Sequence, residues 1–320
     1  MKQTIYLMAI REALDEELQR DEKVFIIGED VQQGTFGTTS TLIDKYGPER
    51  VMDTPLAETA VAGAAIGAAQ AGLRPVADMM FADFMYIAGD EIMIKAAKWR
   101  FLHGGKVNVP VVIMASAGGG MKLGAEHSMF PSSMIMHTPG LKLAVPSTPY
   151  DAKGLLKTAI RDDNPVIFLY HKGLLGLPGE IPEEEYLIPF GQADVKREGS
   201  DVTVVATSAM VHQSLAVAEQ MKDKASVEVV DPRTLEPLDI DTIVASVKKT
   251  GRVVVVDEDT KRCGVTAEIG MQIMENCFDY LDAPIQRVAA ANMPIAAGFM
   301  EEHVLPQAKD IAAAIEAVMA

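Results

Sequence analysis

A chain of 320 residues with 48% hydrophobic and 23% charged residues is long enough for two packed domains rather than one. Its formal net charge of −16 argues against a nucleic-acid partner, which needs clustered Lys and Arg in excess, and no apolar run is long enough to span a bilayer. Cys263 and Cys277 are too few for a disulfide framework or a cysteine-based zinc site; with no signal-peptide pattern over Met1–Tyr6, a cytoplasmic protein with reduced cysteines is expected.

In chain order, Ala9 to Gln19 has helical periodicity, and Lys23–Gly28 reads as a buried strand that ends at a glycine and is followed at once by Glu29-Asp30. Asp53-Thr54-Pro55-Leu56-Ala57-Glu58 then opens a helix of Ala and Gly that ends near Gly72. Pro55 suits a first helical turn and Thr54 can cap it, which would put Glu58 about one turn in. Arg74–Met79 is the next strand, Phe84 to Phe101 a long helix, and Val109–Ala115 a further buried strand stopped by Gly118-Gly119-Gly120. Leu141–Val145, a helix from Tyr150 to Arg161, and Pro165–Tyr170 continue the alternation.

Between Gly173 and Pro189 the pattern weakens into Pro, Gly and the acidic run Glu183-Glu184-Glu185, the candidate linker. Strands at Val202–Ala206, Val227–Val230 and Val253–Val256 then alternate with helices at Val211–Lys222 and Ile243–Lys249, and a last helix runs from Ala308. The expectation is an α/β protein of two doubly wound domains with mostly parallel sheets, a larger one over residues 1–180 and a smaller one over 181–320.

Ligands of doubly wound sheets bind beyond the carboxyl ends of strands, which selects Gly28-Glu29-Asp30, Phe81-Ala82-Asp83-Phe84 and the loop from Ala115 to Ser128 as pocket walls. Glu58 is either an ordinary acid complementing a helix dipole or a carboxylate presented to a flat ligand, since the small residues behind it leave the helix entrance uncrowded. His127 is an imidazole of the kind that suits proton transfer, Phe84 is a core residue or an aromatic wall for a heterocycle, and the triple glycine suggests a phosphate cradle only weakly.

The order of these pieces resembles a known family. Gly-Glu-Asp at 28–30, Asp-Thr-Pro-Leu-Ala-Glu at 53–58, Ala-Gly-Leu-Arg-Pro at 71–75, Phe-Ala-Asp-Phe at 81–84, His127-Ser128, His137–Lys142, Pro146–Leu155 and Ala159–Val166 are similar to the beta subunit of thiamine diphosphate-dependent 2-oxo acid dehydrogenase complexes. That family includes the decarboxylase components for pyruvate and branched-chain 2-oxo acids and the beta subunit of acetoin dehydrogenase. The resemblance implies a thiamine-pyrimidine-binding domain followed by a transketolase C-terminal-like domain.

It further implies that Glu58 hydrogen-bonds a ring nitrogen of the cofactor's aminopyrimidine, favouring the imino tautomer that removes the thiazolium proton, with Glu29 in the neighbouring carboxylate network. Phe84 would pack on the pyrimidine, and His127 would assist proton transfer and handover to a lipoyl group. In some members a potassium ion is bound by main-chain oxygens of the segment that here includes Ala159, Ile160, Asp162 and Asn164, with a carbonyl near Val111; a plain helix end is the alternative. The Gly-Asp-Gly…Asn-Asn pattern that holds magnesium and diphosphate in this superfamily is absent from the chain, so an alpha subunit is expected to supply that half of a shared thiamine diphosphate site, in an assembly of two alpha and two beta chains. A second beta subunit, a lipoyl acyltransferase core, and a small 2-oxo acid or acetoin are the other implied partners.

The chain departs from its relatives at Met129, where they usually carry Gln, and Asp231–Asp239, Val256–Glu258 through Cys263, and Tyr170–Lys172 lean slightly toward acetoin dehydrogenase. A non-catalytic structural subunit, and half of a different split enzyme such as a transketolase or deoxyxylulose phosphate synthase, remain competing readings.

Overall fold

The computed structural model describes residues 1–320. The chain divides into two compact units, residues 1–117 with 134–190, and residues 118–133 with 191–320. The change of unit thus falls at Phe190/Gly191 rather than at the expected 180/181. The physical reason is that the candidate linker is packed. Pro178–Ile181 pairs antiparallel with Lys2–Ile5, Tyr186 stacks on Tyr150 at 4.6 Å, and Ile188 N–H donates to Gly154 O at 3.3 Å.

The first unit runs β1 (Lys2–Ile5), α1 (Tyr6–Arg20), β2 (Val24–Gly28), α2 (Leu42–Tyr46), β3 (Val51–Asp53), α3 (Glu58–Gln70) and β4 (Arg74–Phe81). It continues through α4 (Ala97–Leu102), β5 (Val112–Ala117), α5 (Ser132–Met136, which begins in the second unit), β6 (Lys142–Ala144), α6 (Pro149–Arg161), β7 (Val166–His171) and β8 (Pro178–Ile181). Its main sheet has the order β6-β7-β5-β4-β2-β3 and every pairing in it is parallel. Strands β2, β5 and β7 are buried along their whole length, as strands covered on both faces must be. On one face α1 packs against α6, where the buried ammonium of Lys153 meets Glu12 at 2.5 Å and Glu16 at 2.6 Å.

The single long helix expected over 84–101 is wound in three ways: a 3-10 turn over Ala82–Tyr86, π turns over Asp90–Ala96, then α4. Ile92 and Ala96 are buried, so the apolar spacing that signals a helix is present; over so few turns it does not distinguish these windings.

The second unit contains β9 (Asp194–Arg197), β10 (Val202–Ala206), α7 (Ala209–Gln220), β11 (Val227–Asp231), β12 (Thr234–Glu236), α8 (Ile240–Thr250), β13 (Val253–Thr260), α9 (Val265–Cys277), β14 (Gln286–Ala290) and α10 (Ala308–Met319). Its sheet order is β14-β13-β10-β11-β9, parallel except for β9. Val204, Val229 and Val254 from the sheet and Ile311 and Ile315 from α10 form its core. Cys277 is buried, Cys263 is exposed, and no helix is long and apolar enough to cross a membrane.

Candidate active site

Register places the carboxyl ends of three strands of the first unit side by side, with Gly28 opposite both Asp53 and Asp78. A Cβ at Gly28 would stand 2.4 Å from Asp78 O, so only glycine allows β2 and β4 to approach this closely. Glu29 leaves the sheet immediately after this contact. Thr54 N–H donates to Gly28 O at 3.0 Å, which keeps the chain in line with the strands for longer than expected. The helix therefore begins later: Ala57 is the N-cap and Glu58 is the first residue of α3, not one turn in. Pro55 lies outside the helix, and Thr54, instead of capping it, buries a hydroxyl that has no hydrogen-bond partner.

Glu29, Pro55, Ala57, Glu58, Asp78 and Met80 line one crevice at this point. Glu58 is half-buried and makes no hydrogen bond or ion pair with the chain; its charge acts on Glu29. The Glu29 carboxyl is pushed above the usual glutamate range, first by burial and then by the charges of Asp30 and Glu58. Asp78 is fully buried and raised to about 6 by desolvation, opposed by a 2.9 Å bond from Met80 N–H. Met80 has φ of 60°, the pairing of β4 with β5 shifts between Asp78 and Phe81, and Ser116 Oγ donates to Met80 O at 2.8 Å, so a bulge forms this wall. Behind Glu58, the α3 residues Thr59, Ala60, Ala64 and Gly67 are exposed, a small-residue face that leaves the approach open.

Glu29 and Glu58 thus line the same crevice. Phe84 is half-buried in the 3-10 turn after β4, edge-on to Phe81 with ring centroids 5.6 Å apart, and is not among the residues lining the crevice. His127 is half-buried and belongs to the second unit, with its backbone N–H bonded to Gly124 O at 3.2 Å. The triple glycine is not a phosphate cradle. Its amides meet carboxylates, Gly119 N–H donating to Glu258 at 3.1 Å and Gly120 N–H to Glu301 at 3.0 Å, which occupies the donors an anion would need.

The carbonyls considered for potassium already accept hydrogen bonds at four positions: Val111 O from Val166 N–H, Ala159 O from Asp162 N–H, and Ile160 O and Asp162 O from the Arg74 guanidinium at 3.1 and 3.0 Å. Asn164 N–H donates to the Asp162 side chain. Each carbonyl has a second lone pair, so the set suits a monovalent cation in donor type, while Arg74 already brings one positive charge to it. No group of three or more His, Cys, Asp or Glu is placed to hold a metal.

Sequence reasoning did not single out Asp78 or the bulge at Met80, and it read Thr54 as a helix cap. The available signal was an aspartate within the apolar run Val76-Ala77-Asp78-Met79-Met80, since a buried charge in a central strand needs a reason.

A parallel-sheet unit with acidic residues gathered at its strand ends is followed by a second α/β unit, and both match family models of transketolase-like proteins. Residues 2–178 match the family model of the transketolase pyrimidine binding domain, and residues 191–311 match that of the transketolase C-terminal domain. Among solved structures, a split gene transketolase described as an inactive beta4 tetramer superposes with a TM-score of 0.79 at 25% identity, covering 98% of this chain and 97% of that one. The beta subunit of an acetoin:2,6-dichlorophenolindophenol oxidoreductase from Cupriavidus necator is 46% identical over 98% of this chain and 96% of its own length. From Bacillus subtilis, the 2-oxoisovalerate dehydrogenase subunit beta is 47% identical over 90% of each chain, and the pyruvate dehydrogenase E1 component subunit beta is 44% identical over 97% of each. The chain belongs to the family of beta subunits of 2-oxo acid and acetoin dehydrogenases.

Proposed function

We propose that this chain supplies the activating carboxylate of a thiamine diphosphate site that it shares with an alpha subunit, in an enzyme that cleaves a small acetoin or 2-oxo acid substrate next to its carbonyl. The observation that carries this reading is Glu58: a half-buried carboxylate at a helix start, lining the crevice with all its hydrogen-bonding capacity unspent. Polar groups removed from water are normally paired, so a carboxylate left without a partner in a crevice suits a ligand with ring nitrogens. Thiamine diphosphate, when bound, supplies an electron sink for the bond cleavage. The chain's own part is to hold and orient a proton: Glu29 keeps its carboxyl proton to higher pH than an ordinary glutamate, and Glu58 faces it with free acceptor oxygens.

Phe84 would offer a ring face to the pyrimidine, and His127 would move protons at the substrate side and assist handover to a lipoyl group. The alpha subunit would hold the diphosphate and its magnesium, a second beta subunit would complete the assembly, and a lipoyl acyltransferase core would accept the acyl group. The carbonyls of Val111, Ala159, Ile160, Asp162 and Asn164 would take a potassium ion alongside Arg74. Among substrates we place acetoin first, then pyruvate and branched-chain 2-oxo acids; identities of 46%, 44% and 47% to the corresponding subunits do not separate them.

The likeness to one half of a split transketolase favours a second reading, in which sugar phosphates are the substrates. Co-expression with the alpha subunit, followed by thiamine diphosphate-dependent dye reduction with acetoin, pyruvate, 2-oxoisovalerate and a ketose phosphate, tests both. Activity on one of the first three is the expected result, and activity on none of them contradicts the proposal. A non-catalytic beta subunit would retain turnover after Glu58→Gln; this reading predicts loss of several orders of magnitude.

A further inference from the structure

Residues 118–133 form a loop that packs within the second unit, with His127 between its two ends. Three carboxylates of that unit receive the loop's backbone. Glu301 is 3% exposed and takes two N–H groups, Gly120 on one oxygen at 3.0 Å and Lys122 on the other at 3.1 Å. Glu258, at the end of β13, takes Gly119 N–H at 3.1 Å, and Asp259 takes Ser133 N–H at 3.0 Å. The loop is closed on itself by Gly118 N–H to Met129 O at 2.9 Å and tied to the 297–298 segment by Gly298 N–H to Lys122 O at 3.2 Å. Lys122 is held at φ of 60°, a conformation that a side chain-bearing residue adopts only when its surroundings fix it. At Gly119 a Cβ would stand 2.1 Å from Leu305 Cδ1, so the loop also rests directly on an apolar side chain.

We propose that Glu301 is a positioning residue for His127: by accepting the Gly120 and Lys122 amides on its two oxygens it fixes the loop that presents the imidazole to substrate. Each bond is charge-assisted, and one buried side chain holding two amides two residues apart restrains the loop at residues 120–122. A glutamine there has one acceptor oxygen, and its NH2 group would face an N–H, so Glu301→Gln frees one end of the clamp without changing the side chain's size. The inference rests on the assignment of His127 to proton transfer made above.

The test uses the beta subunit assembled with its alpha subunit and saturated with thiamine diphosphate, comparing Glu301→Gln, His127→Ala and the double variant. Displacing a reacting group by about 1 Å costs on the order of 10²-fold in rate. Glu301→Gln is expected to lower kcat by about that factor, leave the thiamine diphosphate Kd unchanged, speed hydrogen exchange at the Gly120 and Lys122 amides, and add nothing to His127→Ala. Wild-type kcat in Glu301→Gln beside an impaired His127→Ala overturns this inference alone, as does a double variant whose losses multiply. Wild-type kcat in His127→Ala overturns the assignment of His127 and this inference with it. Should Glu301→Gln fail to assemble, Gly119→Ala displaces the same loop against Leu305 and should lower kcat similarly, with Leu305→Ala restoring it; no loss, or no restoration, contradicts the proposal.

Discussion

Two groups of acidic side chains in this molecule are spent in opposite ways. In the second unit Glu258, Asp259 and Glu301 accept backbone N–H groups of the 118–133 loop at 3.0–3.1 Å. In the first unit Glu29 and Glu58 have no hydrogen-bond donor from the chain and face each other's charge. The two groups share a residue type, and composition cannot tell them apart. What separates them is the count of donors: a carboxylate whose oxygens are filled by amides has become structure, and one whose oxygens are empty is available to a ligand.

The largest effect that would break this contrast is on Glu58. Glu58→Gln in the assembled enzyme is expected to lower turnover on the order of 10³-fold with the melting temperature unchanged, read by dye reduction and calorimetry. A carboxylate that served only the helix dipole would contribute less than about 1 kcal/mol to stability and nothing to rate.

The next effect is on stability against pH. Asp257 is fully buried and raised to about 7 by desolvation first and the charge of Asp259 second, although Thr207 and the Asp259 N–H donate to it. The native state therefore holds this proton more tightly than the unfolded chain, and its contribution to stability falls as pH rises from about 4 through about 7. Asp257→Asn should remove that slope. The stability difference between variant and wild type, measured by denaturant titration at pH 5 and pH 8, should shift toward the variant at pH 8 by on the order of a few kcal/mol. An unchanged difference would contradict it.

Gly28→Ala should cost about 1–3 kcal/mol, because its Cβ meets Asp78 O at 2.4 Å and the two strands must part at the crevice. Glu29→Gln is the smallest change. It removes a like charge beside Glu58, and turnover should change by less than about tenfold, with the shift in the acidic limb of the pH–rate profile as its signature.

How much of this was legible in the sequence varies along the chain. The parallel sheets were, because Val24–Gly28, Val112–Ala117 and Val166–His171 are continuous apolar runs between helical patterns. The neighbourhood of Glu29 and Glu58 came only from the family resemblance; in the structure both follow strand ends that parallel register brings level. The start of α3 was not: the Pro55 and Thr54 signals are local, whereas the bond from Thr54 N–H to Gly28 O that overrides them joins segments 26 residues apart in numbering. The fate of the triple glycine was hidden for the same reason, its amides being taken by Glu258 and Glu301 from more than a hundred residues away. Asp78 and the bulge at Met80 depend on a slip between β4 and β5, which pattern alone does not specify.

The central claim is that Glu58 controls a proton on the bound cofactor, and the most direct measurement is the rate of hydrogen–deuterium exchange at the thiazolium carbon of thiamine diphosphate in the assembled enzyme. With cofactor binding shown to be intact, Glu58→Gln should slow that exchange on the order of 10³-fold. An exchange rate equal to that of the wild-type assembly would contradict the account.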